Sequence, residues 1–132
     1  GHPVAAAVAL ANLEVLQKDR LIEKSGGATG DYFQKKLASL NDHPLVGETR
    51  GTGLIGAIEL VKNKKTRERF DAAMNVGYRC RVHCFANGLI MRAIGDTMVL
   101  SPPLVITEAE IDELIGLART CIDLIAKDIG VS

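Results

Sequence analysis

Arg92 lies inside Leu89-Ile90-Met91-Arg92-Ala93-Ile94, a strand-like run whose other residues are apolar, just ahead of the turn signal Gly95-Asp96. A guanidinium in that setting must reach solvent, pair with an acid or meet an anionic ligand. Its planar fork matches a carboxylate bidentately. Pattern alone leaves three outcomes open: a structural ion pair, an exposed edge residue, or an anion-binding residue. Arg50, just before Gly51, is a weaker candidate of the same kind, because Glu48 and Thr49 beside it describe a polar, exposed strand end.

Three other patterns carry potential chemistry. Gly51-Thr52-Gly53-Leu54-Ile55-Gly56 spells the G-x-G-x-x-G dinucleotide fingerprint. That chemistry needs a helix opening directly on the glycines, so that backbone N–H groups meet the pyrophosphate. Here the glycines run into Ala57-Ile58-Glu59-Leu60-Val61, which reads as more strand, so a bend with close backbone approach is favoured. Cys80, His83 and Cys84 fall on one helical face, but a tetrahedral metal site needs a fourth ligand, and His2 and His43 are isolated. Buried cysteines on an apolar stripe are the commoner outcome. No metal site and no cysteine nucleophile is expected. The eight lysines occupy polar helix positions or the charged loop 62–69, and none is placed to hold a neutral, desolvated amine for Schiff-base chemistry.

The elements that must position these residues follow from periodicity and stop signals. Pro3 suits a first helical turn, and from Val4 to Leu16 only Asn12 and Glu14 are polar. A helix apolar on nearly every side is normally covered on every side, so this one points to a partner surface beyond the chain. A second helical stretch runs from about Leu21 to Leu40, weakened by Gly26, Gly27 and Gly30 at roughly 1 kcal/mol each against alanine. Leu45 to Val61 reads as strand. Ala73, Val76, Cys80 and Cys84 mark a further helix closed by Asn87-Gly88. Leu89 to Ile94 and Thr97 to Leu100 form two short strands around Gly95-Asp96. Thr107 and Glu110 spell a capping box for a last helix striped with Ile111, Leu114, Ile115, Ala118, Ile122, Ile125 and Ile129. The expectation is one α+β domain over 1–132, with a small, mostly antiparallel sheet and helices packed on it.

Sixteen basic and sixteen acidic residues balance to zero net charge, which argues against a nucleic-acid partner. The basic cluster Lys62 to Arg69 reads as a solvated loop. Three cysteines form no disulfide framework and suit a reducing cytoplasm. The longest wholly apolar run, Val4 to Ala11, falls far short of the ~20 residues that span a bilayer, so no membrane partner is expected. The opening at Gly1 without a methionine fits either an appended Gly-His or a cut within a longer protein.

Six motifs in order carry a family resemblance: Gly1-His2-Pro3-Val4-Ala5-Ala6, His43-Pro44-Leu45-Val46-Gly47, Arg50-Gly51-Thr52-Gly53-Leu54-Ile55-Gly56, Gly88-Leu89-Ile90-Met91-Arg92, Gly95-Asp96-Thr97, and Leu100-Ser101-Pro102-Pro103-Leu104-Val105-Ile106-Thr107. Together they resemble the C-terminal part of class III aminotransferases, especially the omega-amino acid–pyruvate type, over essentially the whole chain.

The resemblance implies a fold-type-I homodimer that transfers an amino group between an amine or omega-amino acid and a keto acid, with pyridoxal phosphate as electron sink. It implies that the Schiff-base lysine, the aspartate facing the pyridine nitrogen and a phosphate-site threonine lie upstream of Gly1. This chain would then hold no catalytic or cofactor-binding residue and would be inactive alone. Pro3 to Arg20 would be the helix connecting to the large domain. Arg92 aligns with the family's mobile arginine, which binds a substrate carboxylate and swings away for amines lacking one. Two other readings stay open: the small domain of a class III aminomutase or decarboxylase, and a free-standing ligand- or protein-binding module.

Overall fold

The computed structural model describes residues 1–131. Helix α1 (Pro3–Lys18) carries proline in its first turn, as its sequence predicts. It buries none of its residues; Val4, Val8 and Leu10 are each 63% exposed. An apolar helix with nothing over it is the reverse of ordinary amphipathic packing. Among the described residues, no helix is long and apolar enough to cross a membrane.

The stretch expected as one helix from Leu21 to Leu40 is divided. Helix α2 (Leu21–Gly26) ends at Gly27, whose backbone (φ −123°, ψ −128°) breaks the run, and α3 (Ala28–Ala38) follows. A 3-10 turn over Ser39–Asp42 then buries Leu40.

The run Leu45 to Val61 is not one strand but two. Strands β1 (Val46–Thr52) and β2 (Ile55–Leu60) pair antiparallel around Gly53-Leu54, with Gly53 at φ +52°. Gly53 supplies the left-handed conformation that a two-residue connection requires. The G-x-G-x-x-G letters therefore form a β-hairpin, and no helix opens on them. Gln34 of α3 clamps this turn by donating to Gly53 O at 2.9 Å and Ile55 O at 3.0 Å.

Helix α4 (Val76–Ala86) is followed by Gly88 at φ +75°, just past its end. Strands β3 (Arg92–Ile94) and β4 (Thr97–Leu100) form the second hairpin, so the expected strand from Leu89 is shortened to its last three residues. Helix α5 (Glu108–Asp128) opens with the expected capping box. Thr107 Oγ1 accepts from Glu110 N–H, and Glu110 Oε2 accepts from Thr107 N–H at 2.7 Å.

The sheet is wholly antiparallel, in the order β1-β2-β4-β3. Because side chains alternate along each strand, Ile58, Met98 and Leu100 turn to one face. There they meet Phe33 and Leu37 of α3 and Val76, Cys80 and Cys84 of α4 in a single buried cluster. Helix α5 packs beside α3 and α4 and adds Ile111, Ile115, Ala118, Ile122 and Ile125. Each of the branched aliphatic, methionine and phenylalanine side chains contributes roughly 1.5–3 kcal/mol on burial. Gly56 lies under Phe33 and Leu37, where a Cβ would come within 2.6 Å of Leu37 Cδ2.

The loop 62–69, expected to be simply solvated, is pinned at several points. Asn63 Oδ1 accepts from the N–H groups of Lys65 and Thr66, Lys62 pairs with Glu68 at 2.6 Å, and Arg67 pairs with Glu48 at 2.6 Å.

Candidate functional site

The helix-free face of the sheet carries the candidate residues. The register places Arg50 opposite Ala57, Ala57 opposite Val99, and Val99 opposite Arg92, so one rung runs Arg50–Ala57–Val99–Arg92 across all four strands. The neighbouring rung runs Glu48–Glu59–Thr97–Ile94. Both arginines therefore stand on the same face, at opposite edges.

Their surroundings differ. Arg50 Nη1 lies 2.8 Å from Glu48 Oε1 and 2.9 Å from Glu59 Oε2. These carboxylates, Glu59 foremost, hold the guanidinium above even its ordinary high pKa. Arg50 is a structural ion-pair residue. Arg92 is exposed and, among the described residues, makes no ion pair or hydrogen bond. Of the outcomes the sequence leaves open, the exposed edge position is the observed one, and its guanidinium stays available to an anion. It projects between Ile90, 78% exposed, and Ile94, 57% exposed. Ile94 borders a cleft of about 440 Å³ toward α4. Ile90 borders another of about 500 Å³ toward α5. Arg92 lines neither, so the site is open on its outer side.

Cys80, His83 and Cys84 do not converge. Cys80 and Cys84 turn into the core beside Cys121 of α5, while His83 turns outward, its Nε2 2.7 Å from Asp128 Oδ2. A hydrogen bond with Cys80, together with burial, pushes the Cys84 thiol far above its usual range. Burial likewise pushes Cys121 up to about 12. These are inert core thiols. His43 is buried and structural: its Nδ1 accepts from Leu45 N–H and its Nε2 lies against Asp123 Oδ1, both at 3.0 Å.

No lysine offers a Schiff-base setting. Lys36 and Lys62 are held in the ammonium form by Asp112 and Glu68 respectively, the reverse of what that chemistry needs. Lys64 donates to the carbonyls of Asn41 and His43. Lys18, Lys24, Lys35, Lys65 and Lys127 are exposed. The residues present do not fit the covalent anchorage of pyridoxal phosphate.

The sequence marks Asp96 only as a turn residue and gives Gly77 no role. Asp96 Oδ1 accepts from Gly77 N–H at 2.9 Å and so joins the β3–β4 turn to the start of α4. The only local signal was the absence of a capping residue ahead of Val76 other than Asn75, which adopts a left-handed backbone and gives no side-chain cap.

Comparison with known proteins agrees with this architecture. The sequence profile of the class-III aminotransferases matches residues 1–122. A putrescine–pyruvate aminotransferase from Pseudomonas aeruginosa is 63% identical over 123 residues, covering 93% of this chain and 27% of that protein. A mitochondrial gamma-aminobutyrate transaminase from Solanum lycopersicum is 40% identical, covering 89% of the chain and 22% of that protein. The chain thus spans about a quarter of the length of the curated relatives it matches. Among solved structures, a transaminase obtained by ancestral reconstruction superposes with a TM-score of 0.93 at 44% identity, over 97% of this chain and 28% of that one. An omega-transferase from Vibrio fluvialis superposes with a TM-score of 0.93 at 33% identity, over 98% of this chain and 31% of that one. The chain belongs to the class-III aminotransferase family.

Proposed function

We propose that this chain is the C-terminal small domain of a longer pyridoxal-phosphate aminotransferase, and that Arg92 is its contribution to substrate binding. The reaction would move an amino group between an amine or omega-amino acid and a keto acid such as pyruvate, in keeping with the 63% identical putrescine–pyruvate aminotransferase. The observation that carries the reading is the contrast on one rung: Arg50 is neutralised by Glu48 and Glu59, while Arg92 is exposed, has no ion pair among the described residues and is flanked by exposed isoleucines. A guanidinium kept free in that way suits bidentate capture of a carboxylate.

Helix α1 supports the rest of the assignment. An apolar helix that buries nothing within the chain fits a connection to a large domain, which would cover it. That large domain would hold the cofactor and supply the electron sink. Within this chain, Arg92 would bind and orient a carboxylate, and the β3–β4 hairpin would carry the arginine to the site. We further place the enzyme as a homodimer in the cytoplasm, following the family resemblance and the three unpaired thiols. The test is a substrate split. In the complete enzyme, Arg92→Ala should raise the KM of the keto acid and leave that of an amine without a carboxylate nearly unchanged.

A further inference from the structure

We propose that Asp96 and Gly77 form a latch that sets the position of Arg92, a role that rests on the carboxylate-binding reading of that arginine. Strand β3 has only three residues and pairs on one side alone, with β4. No side chain of the described chain bonds the Arg92 guanidinium, so its direction is governed by the backbone of the hairpin that carries it. Whatever fixes the tip of that hairpin fixes the starting point of the arginine.

The tip is held from two sides. Asp96 O accepts from Leu60 N–H at 2.9 Å, which ties it to the end of β2. Asp96 Oδ1 accepts from Gly77 N–H at 2.9 Å, which ties it to the first turn of α4. Helix α4 lacks a cap of its own, because Asn75 sits at φ 49° with its side chain turned away from the helix N–H groups. The cap comes instead from nineteen residues further along the chain. A carboxylate there also meets the positive end of the helix dipole.

Gly77 makes the approach possible. It is buried, and a Cβ on it would run into Gly95 O and come within 3.0 Å of Asp96 Cα. Capping alone would not require this arrangement, since an Asp or Ser at position 75 could serve α4 locally. Taking the cap from the hairpin couples the edge strand to a helix that is itself locked against α5 in the core. Asp96 and Gly77 are therefore positioning residues: neither reaches the substrate, and both act through Arg92.

The test uses the complete enzyme and five variants, Asp96→Ala, Gly77→Ala, Asp96→Asn, Arg92→Ala and the double Asp96→Ala/Arg92→Ala, with KM measured for pyruvate and for putrescine, an amine without a carboxylate. Displacing a binding group by about an ångström is costly, so Asp96→Ala and Gly77→Ala should each raise the pyruvate KM about three- to tenfold and leave the amine KM within about twofold. Asp96→Asn keeps an oxygen that accepts from Gly77 N–H and should stay near the parent value. Adding Asp96→Ala to Arg92→Ala should raise the pyruvate KM no further, because both act on one contact. If Asp96→Ala fails to accumulate, Gly77→Ala disturbs the same contact from the other partner. Equal effects on both substrates, no effect on either, or Asp96→Asn behaving like Asp96→Ala would each overturn the latch, while a selective Arg92→Ala left the arginine reading standing. An Arg92→Ala variant without substrate selectivity would remove both.

Discussion

Arg50 and Arg92 stand on a single cross-strand rung, at opposite edges of the sheet, with Ala57 and Val99 between them. Three interstrand steps separate their backbones by roughly 14 Å at about 4.8 Å per step. One is clamped by Glu48 and Glu59, and the other has no partner among the described residues. Residue type does not distinguish them. The acids on the adjacent rung do, because Glu48 and Glu59 both pair with Arg50 on the β1–β2 side of the sheet.

The sheet's fit to α3 predicts a first outcome. Gly56→Ala would press a methyl group against Leu37 and Phe33, both fully buried. Overpacking of that kind costs about 1–3 kcal/mol. Thermal unfolding should show a melting temperature lower by several degrees, with the secondary structure retained at low temperature.

A second prediction concerns the thiols. Cys80, Cys84 and Cys121 are buried, and Cys84 and Cys121 are held above the range in which a thiolate forms near neutral pH. Reaction with a thiol-specific alkylating agent at pH 8, followed by peptide mapping, should leave all three unmodified in the folded protein. All three should react once it is unfolded.

Acid sensitivity follows from the surface carboxylates. The Thr107 backbone N–H, with the Thr107 hydroxyl, holds Glu110 below the usual range; Arg67 and Arg50 do the same for Glu48, as do Lys36 and Tyr32 for Asp112. Each folded pKa is depressed, so the unfolded chain binds more protons between the two values. Their stabilisation is therefore present above the ordinary values of 4.5 and 3.8 and is lost as pH falls below them. Denaturant midpoints should decline as pH drops through that window. Glu110→Gln keeps a capping-box residue without the titrating group, and should flatten part of the decline while changing neutral-pH stability little.

What the sequence revealed followed from local rules. Thr107 and Glu110, Pro3 and Gly88 act within one helical turn, and each occupies its expected place. The α5 stripe was legible because a 3.6-residue period needs no tertiary information. The hairpin at Gly53-Leu54 was not, because that pair lacks the Asn-Gly or Asp-Gly signature and its flanks read as continuous strand. The isolation of Arg92 depends on register across four strands. The latch joins residues nineteen apart, and the meeting of Cys121 with Cys84 depends on how α4 and α5 pack. The family resemblance marked Arg92 for a role; only the arrangement of Glu48 and Glu59 explains why it, rather than Arg50, is free to fill it.

The most direct test is to follow the two half-reactions of the complete enzyme separately by the absorbance of its cofactor, before and after Arg92→Ala. Losing a charged, hydrogen-bonded contact of about 1.5–3 kcal/mol should weaken the keto-acid half-reaction roughly ten- to a hundredfold in apparent affinity. The half-reaction with putrescine, the amine of the 63% identical relative, should change by less than about twofold, since that amine has no carboxylate for the guanidinium to hold. Equal losses in both half-reactions, or an unaltered keto-acid half-reaction, would contradict the account.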